Sequence, residues 1–192
     1  MNLLNVQPCR FHFDFDFVLN LYAMPKLRFT LTDVITMCRC CESQVVDWRV
    51  AQIYDVDARC FVLKMNSVGC AEKRLLILES DVRFGLARHD AKSGEIPSAL
   101  RAKLHATLKG KRLSDVRVLG DDRVVLFRFG SGTTAANMIL ELYAIGNIVL
   151  TDANYVVTAV LRARHNFADG ATLEVGEPYP VASSAVVSVQ FR

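Results

Sequence analysis

The sequence predicts an α+β fold, an antiparallel β-rich sandwich with two helices. Three observations predict it. First, Arg112–Asp152 holds four apolar, β-branched or aromatic segments: Leu113–Leu119, Val124–Phe129, Ala136–Tyr143 and Asn147–Thr151. The residues between them, Gly120 to Arg123, Gly130 to Gly132 and Ile145 to Asn147, are those of tight turns, so the segments read as an antiparallel meander. Second, Arg49–Asp55, Cys60–Met65, Arg74–Glu79 and Val82–Leu86 are shorter runs of the same kind, linked through Asp55, Asp57, Asn66 and Gly69. Third, only two stretches carry helical spacing, and each opens on a capping residue.

The first helix begins at Thr30, where Thr30 to Asp33 forms a capping box with Asp33 at the third helical position. Leu31, Val34, Ile35, Cys38 and Val45 then recur at helical spacing to about Val46. The second helix runs from Ser98 to Leu108 and stops at Gly110, with Leu100, Leu104 and Leu108 as its buried stripe. After the meander come a strand over Val156–Arg162 and a turn over His165–Gly170. Gly176 to Pro180 reads as a chain exit, where two prolines forbid regular pairing. A short strand-like run closes the sequence over Ser183–Arg192. Upstream, Phe11 to Phe17 alternates aromatic and polar residues, but Asp14 and Asp16 interrupt any secretory signal. Residues 1–23 read as an extension, with Met24 as the natural start.

Composition narrows the function. At 52% hydrophobic and 22% charged, the 192 residues make a globular chain with room for one domain and appendages. No apolar run reaches the roughly 18 residues of a membrane-spanning helix, so no membrane partner is expected. Net charge is only +3, yet Ser98–Arg123 carries seven Lys/Arg against three Asp. Arg101, Lys103, Lys109, Lys111 and Arg112 have no acid between Ser98 and Ser114 to pair with inside the segment. That run is either a solvated helix face or a set of contacts to RNA phosphates. The six cysteines lack the spacing of a secreted disulfide scaffold, which points to a reducing compartment. Cys38, Cys40 and Cys41 have no second Cys/His pair to complete a zinc site, and read as small hydrophobes of a buried helix; no metal or cofactor is expected. Asp122 and Arg123 stand at the first corner of the meander, where a turn wants an Asp and where function often collects.

Several runs in order carry a family resemblance. MPKLRFTLTDV (Met24–Val34), VAQIYD (Val50–Asp55), LILES (Leu76–Ser80), LKGKRL (Leu108–Leu113), GDDRV (Gly120–Val124), LELYAIGNIVLTD (Leu140–Asp152) and VGEPYP (Val175–Pro180) resemble the successive blocks of the NFACT N-terminal domain. That family takes in nuclear export mediator factor and bacterial fibronectin-binding-protein-like homologues. The resemblance covers residues 24–181, leaving 182–192 as a truncated tail. It implies a fold like the N-terminal sandwich of formamidopyrimidine-type DNA glycosylases. It also implies a cytoplasmic, non-enzymatic role in ribosome quality control. The partners would be tRNA, the large ribosomal subunit obstructed by peptidyl-tRNA and, in a eukaryote, a listerin-type ubiquitin ligase. The output would be mRNA-independent C-terminal tailing of the stalled chain. The family's tRNA-handling residues carry over as Asp33, Asp122 and Arg123. Arg123 offers a planar five-donor fork for a phosphate or base edge, and Asp122 an acceptor for a ribose 2′-hydroxyl or for that fork. Members continue into a helix-hairpin-helix region, a coiled coil and a second conserved domain absent from this sequence, so a fragment with part of the activity is expected.

Two other readings compete. Loss of Met24 would expose Pro25 as a Schiff-base nucleophile of a DNA glycosylase/lyase, but that chemistry needs a Glu next and position 26 is Lys. An extracellular fibronectin-binding module would be expected to show a signal sequence and paired cysteines.

Overall fold

Alternation of apolar and polar residues in short runs joined by turns leads each strand back beside its predecessor. The computed structural model describes residues 28–87, 98–120, 122–143, 145–163 and 173–180. In one sheet β1 (Arg49–Asp55), β2 (Cys60–Asn66), β3 (Lys73–Glu79) and β4 (Arg83–Ala87) follow one another, antiparallel throughout. The second sheet is the expected meander, β5 (Leu113–Val118), β6 (Val124–Phe129), β7 (Ala136–Glu141) and β8 (Asn147–Asp152), extended by β9 (Val157–Val160). The sheets meet where Arg49 and Arg112 form an antiparallel bridge. This is the α+β fold with two antiparallel sheets and two helices that the sequence predicts. The strand expected to reach Arg162 stops at Val160 because Arg162 turns to bind Asn147 and Gly146.

Helix α1 (Leu31–Val45) opens on the predicted capping box. Thr30 donates to Asp33 Oδ2 from its backbone N–H at 2.8 Å and its hydroxyl at 2.7 Å, and accepts from the Asp33 N–H at 3.3 Å. Thr30→Ala is therefore expected to cost about 1 kcal/mol, read as a lower midpoint in urea. The buried face is Val34, Cys38, Cys41 and Val45, whereas Leu31 and Ile35 are exposed. The expected stripe was too wide at its start, because only the row spaced four, three and four residues apart meets the core. Burial pushes the Cys38 thiol up to about 12, with Asp115 and Glu42 adding to it, and raises Cys41 well above the usual thiol range. Both behave as the small hydrophobes expected of them.

Helix α2 (Ala99–Leu108) has Ser98 as its N-cap and buries Leu100, Leu104 and Leu108, as predicted. Helix α1 packs on β4 and β5, and α2 on β1 and β9, so each helix spans from one sheet to the other. The main core joins both helices to the facing sides of both sheets, with Phe61, Leu63, Leu78, Phe127 and Leu140 among its members.

The second sheet is also covered on its other side, where Leu126, Ile139 and Val149 pack with Leu173 and Tyr179. The segment expected to be an unpaired exit in fact pairs with the sheet edge. Pro178 bridges Val156, Val157 N–H donates to the Glu177 carbonyl at 2.9 Å, and Gly176 and Tyr179 donate to the carbonyls of Val157 and Tyr155 at 2.8 Å each. The prolines do not prevent this because the donors required on the edge come from Gly176 and Tyr179. The runs over Phe11–Phe17 and Ser183–Arg192, the loop at 88–97 and the turn at 165–170 lie outside the described residues.

Candidate nucleic-acid interface

Hairpin connections of both sheets come together at one end of the molecule. The turn between β3 and β4 carries Asp81, at φ 74, and its N–H donates to the Glu141 carbonyl at the end of β7. Leu142 N–H donates to the Arg123 carbonyl at 2.9 Å, which joins the β7–β8 connection to the β5–β6 corner. Arg162, just past β9, donates from Nη1 to the Ser80 hydroxyl at 3.2 Å and to the Gly146 carbonyl at 2.7 Å. The segment entering α1 is tied to the same place, since Phe29 N–H donates to the Val82 carbonyl at 2.9 Å.

Arg123 completes this junction. Its guanidinium leaves the meander and donates from Nη1 to the Phe29 carbonyl at 3.2 Å, one residue before the cap of α1. Asp33, in the first turn of α1, and Arg123 thus flank the same two residues, Phe29 and Thr30. Asp122 is exposed beside them. Its Oδ1 accepts from the Arg123 backbone N–H at 2.7 Å. The carboxylate therefore shapes the turn backbone and does not orient the guanidinium fork. Asp33, Asp122 and Arg123, about 90 residues apart in sequence, share one end of the fold; Pro25 and Lys26 lie outside the described residues.

The basic run is divided. Arg101 lies against β1, donating from Nε to the Ile53 carbonyl at 3.0 Å with Nη1 3.8 Å from Asp55. Arg112 pairs with Asp47 at 3.4 Å, and Lys111 donates to the Thr134 carbonyl. The absence of local acids did not leave these cations unpartnered, because acids and carbonyls distant in sequence supply the partners. Among the described residues, Lys103 and Lys109 are exposed and make no ion pair. Lys109, Lys111 and Arg112 precede β5 while Asp122 and Arg123 follow it. Six extended residues separate the two groups, about 20 Å at roughly 3.3 Å per residue. The two groups stand at opposite ends of β5.

Sequence reading missed Arg28, Asp81, Glu141 and Tyr179. Arg28 Nη2 meets Asp81 Oδ2 at 2.8 Å, and Arg59 Nη1 approaches the same oxygen at 3.9 Å. Glu141 is fully buried, and the Tyr179 hydroxyl donates to its Oε1 at 2.9 Å. Burial pushes the Glu141 carboxyl up to about 7; the Tyr179 hydrogen bond opposes this and nearby Asp122 adds to it. The available signal for Glu141 was a lone acid closing a strand of largely apolar character.

Comparison with known proteins places this architecture. Residues 30–184 match the family described as NFACT N-terminal and middle domains. The chain is 41% identical over 157 residues to the "Ribosome quality control complex subunit NEMF homolog" of Drosophila melanogaster, covering 81% of this chain and 16% of that protein. It is 35% identical over 156 residues to "Ribosome quality control complex subunit NEMF" of Homo sapiens, covering 81% and 14%. The chain therefore spans less than a fifth of the length of these relatives. In structure it is similar to the N-terminal domain of fibronectin-binding protein PavA from Streptococcus pneumoniae, with a TM-score of 0.67 and 21% identity over 79% of this chain and 63% of the other. At that identity the likeness shows the fold. The chain belongs to the family of NFACT N-terminal and middle domains.

Proposed function

We propose that this chain is the tRNA-binding platform of a ribosome quality control factor. It engages tRNA on a large ribosomal subunit still obstructed by peptidyl-tRNA, and supports mRNA-independent C-terminal tailing of the stalled chain. The names of its relatives support the pathway. The observation that carries the site is the reach of Arg123 to Phe29, which assembles Asp33, Asp122 and Arg123 from two distant segments. Two exposed acids beside an arginine fork offer what RNA recognition needs, acceptors for a 2′-hydroxyl or base edge and donors for a phosphate. The role is binding, not catalysis, and is exercised in the cytoplasm. A listerin-type ubiquitin ligase is a further partner in a eukaryotic setting.

The test is binding of labelled tRNA to the 192-residue chain and sedimentation with peptidyl-tRNA-bearing large subunits. Asp122→Ala combined with Arg123→Ala is expected to lower tRNA affinity at least about tenfold, as for loss of a charge-assisted contact. Because Arg123 also holds the Phe29 carbonyl, the same change costs about 1 kcal/mol of stability, which leaves the fold intact. Unchanged tRNA affinity would sink the proposal, and so would a wild-type chain that binds no tRNA.

A further inference from the structure

Arg28 and Arg59 occupy positions that the proposed site does not use. One lies just before α1 and the other just before β2, yet both guanidinium groups turn to a single carboxylate oxygen, Oδ2 of Asp81. That carboxylate is only 9% exposed, whereas the Arg28 side chain is 55% exposed and that of Arg59 is 34% exposed. The acid is thus at the floor and the two cations reach outward from it. One negative charge faces two positive ones, and the hydrogen bond of Arg28 to Asp81 uses one of its five N–H donors.

The floor is rigid for reasons independent of the arginines. Asp81 sits in the left-handed region at φ 74, a conformation Asp tolerates better than most residues, and its N–H is held by the Glu141 carbonyl. Its neighbour Ser80 is gripped by Arg162. Arg28 is also adjacent to Phe29, whose carbonyl receives the Arg123 fork. Arg28, Arg59 and Arg123 therefore border one end of the fold, drawn from three segments far apart in sequence.

Other charges lie nearby. Asp33 spends Oδ2 on the cap of α1, Asp57 spends Oδ1 on the N–H groups of Arg59 and Cys60, and Glu79 pairs with Arg83 at 3.1 Å. Asp122 is exposed and spends Oδ1 on its own turn. What Arg28 and Arg59 present beyond Asp81 is a pair of partly exposed forks that meet at one carboxylate oxygen. Planar forks pre-oriented by a carboxylate are suited to bidentate binding of phosphate oxygens.

We propose that Arg28 and Arg59, positioned by Asp81, form a phosphodiester-binding site that holds the RNA backbone next to the Asp33, Asp122 and Arg123 cluster. This rests on the tRNA reading above, and the experiment separates the two. Binding of the same tRNA to the 192-residue chain is measured across a salt series for the wild type, Arg28→Gln, Arg59→Gln, the two combined, and Asp81→Asn. Each arginine change is expected to weaken binding about tenfold at low salt and to lower the salt slope by about one. Asp81→Asn suits the left-handed backbone and keeps both cations but loosens their forks. It is expected to weaken binding by less than either arginine change while keeping the wild-type salt slope, without a loss of stability. A purely structural Arg28–Asp81 pair predicts something different, an equal loss of stability in Arg28→Gln and Asp81→Asn with an unchanged salt slope. Wild-type slopes in both arginine variants, with the Asp122/Arg123 variant still defective, would overturn this inference alone. A wild-type chain without tRNA affinity would overturn both.

Discussion

Gly146→Ala is expected to lower stability by at least about 3 kcal/mol, through overpacking together with a left-handed backbone. Gly146 has φ +64, and a Cβ there would lie 2.2 Å from the Asp81 backbone nitrogen, 2.6 Å from its Cα and 2.6 Å from the Ser80 hydroxyl. Two of those atoms are backbone, in a turn already fixed by Glu141 and Arg162, so the neighbour has no easy way to yield. The change forces apart the Gly146 and Asp81 turns, the second of which forms the floor beneath Arg28. Gly69→Ala is the control: it has a similar φ of +79 with nothing within 4 Å, so only the backbone preference is lost, about 1 kcal/mol. Urea denaturation of both variants measures the difference. Equal costs would show that the close approach of Gly146 to Asp81 contributes nothing.

The second large effect depends on pH and comes from Glu141. Its ordinary carboxyl value is 4.5, and burial in the fold raises this to about 7. Between those values the folded chain keeps a proton that the unfolded chain releases, so stability falls as pH rises through this window. The contribution is fully present below 4.5 and fully lost above about 7. Glu141→Gln keeps an acceptor for the Tyr179 hydroxyl and cannot ionise. Relative to wild type it is expected to gain on the order of 3 kcal/mol between about pH 5 and about pH 8. Comparing the pair cancels the titration of the other groups. A constant difference in urea midpoint across that range would mean that Glu141 ionises as freely folded as unfolded.

Much of the fold was legible because it is written locally. Thr30 and Ser98 cap their helices through side chains three residues from their partners, and the strand runs end at turn residues such as Gly120, Gly130 and Gly146. Where the sequence reading failed, the deciding partner was remote. Leu31 and Ile35 share the helical spacing of the core row, and only the placement of β4 and β5 against α1 selects Val34, Cys38, Cys41 and Val45 for burial. The prolines of Gly176–Pro180 argue against pairing when counted alone, but the edge of β9 needs donors only from the residues that still have them.

The candidate site divides in the same way. Motif resemblance named Asp33, Asp122 and Arg123, and the sequence by itself determined the capping box, the turn and the order of strands around them. Only the tertiary structure decided that Arg123 reaches Phe29, that Arg101 turns to Asp55, and that the basic residues before β5 stand a strand's length from the corner after it. It alone brought Arg28 and Arg59 to Asp81. The physical reason is one of range. Caps and turns are closed by atoms within a few residues of each other, whereas an arginine fork takes whatever carbonyl or carboxylate the packing of two sheets brings within about 3 Å.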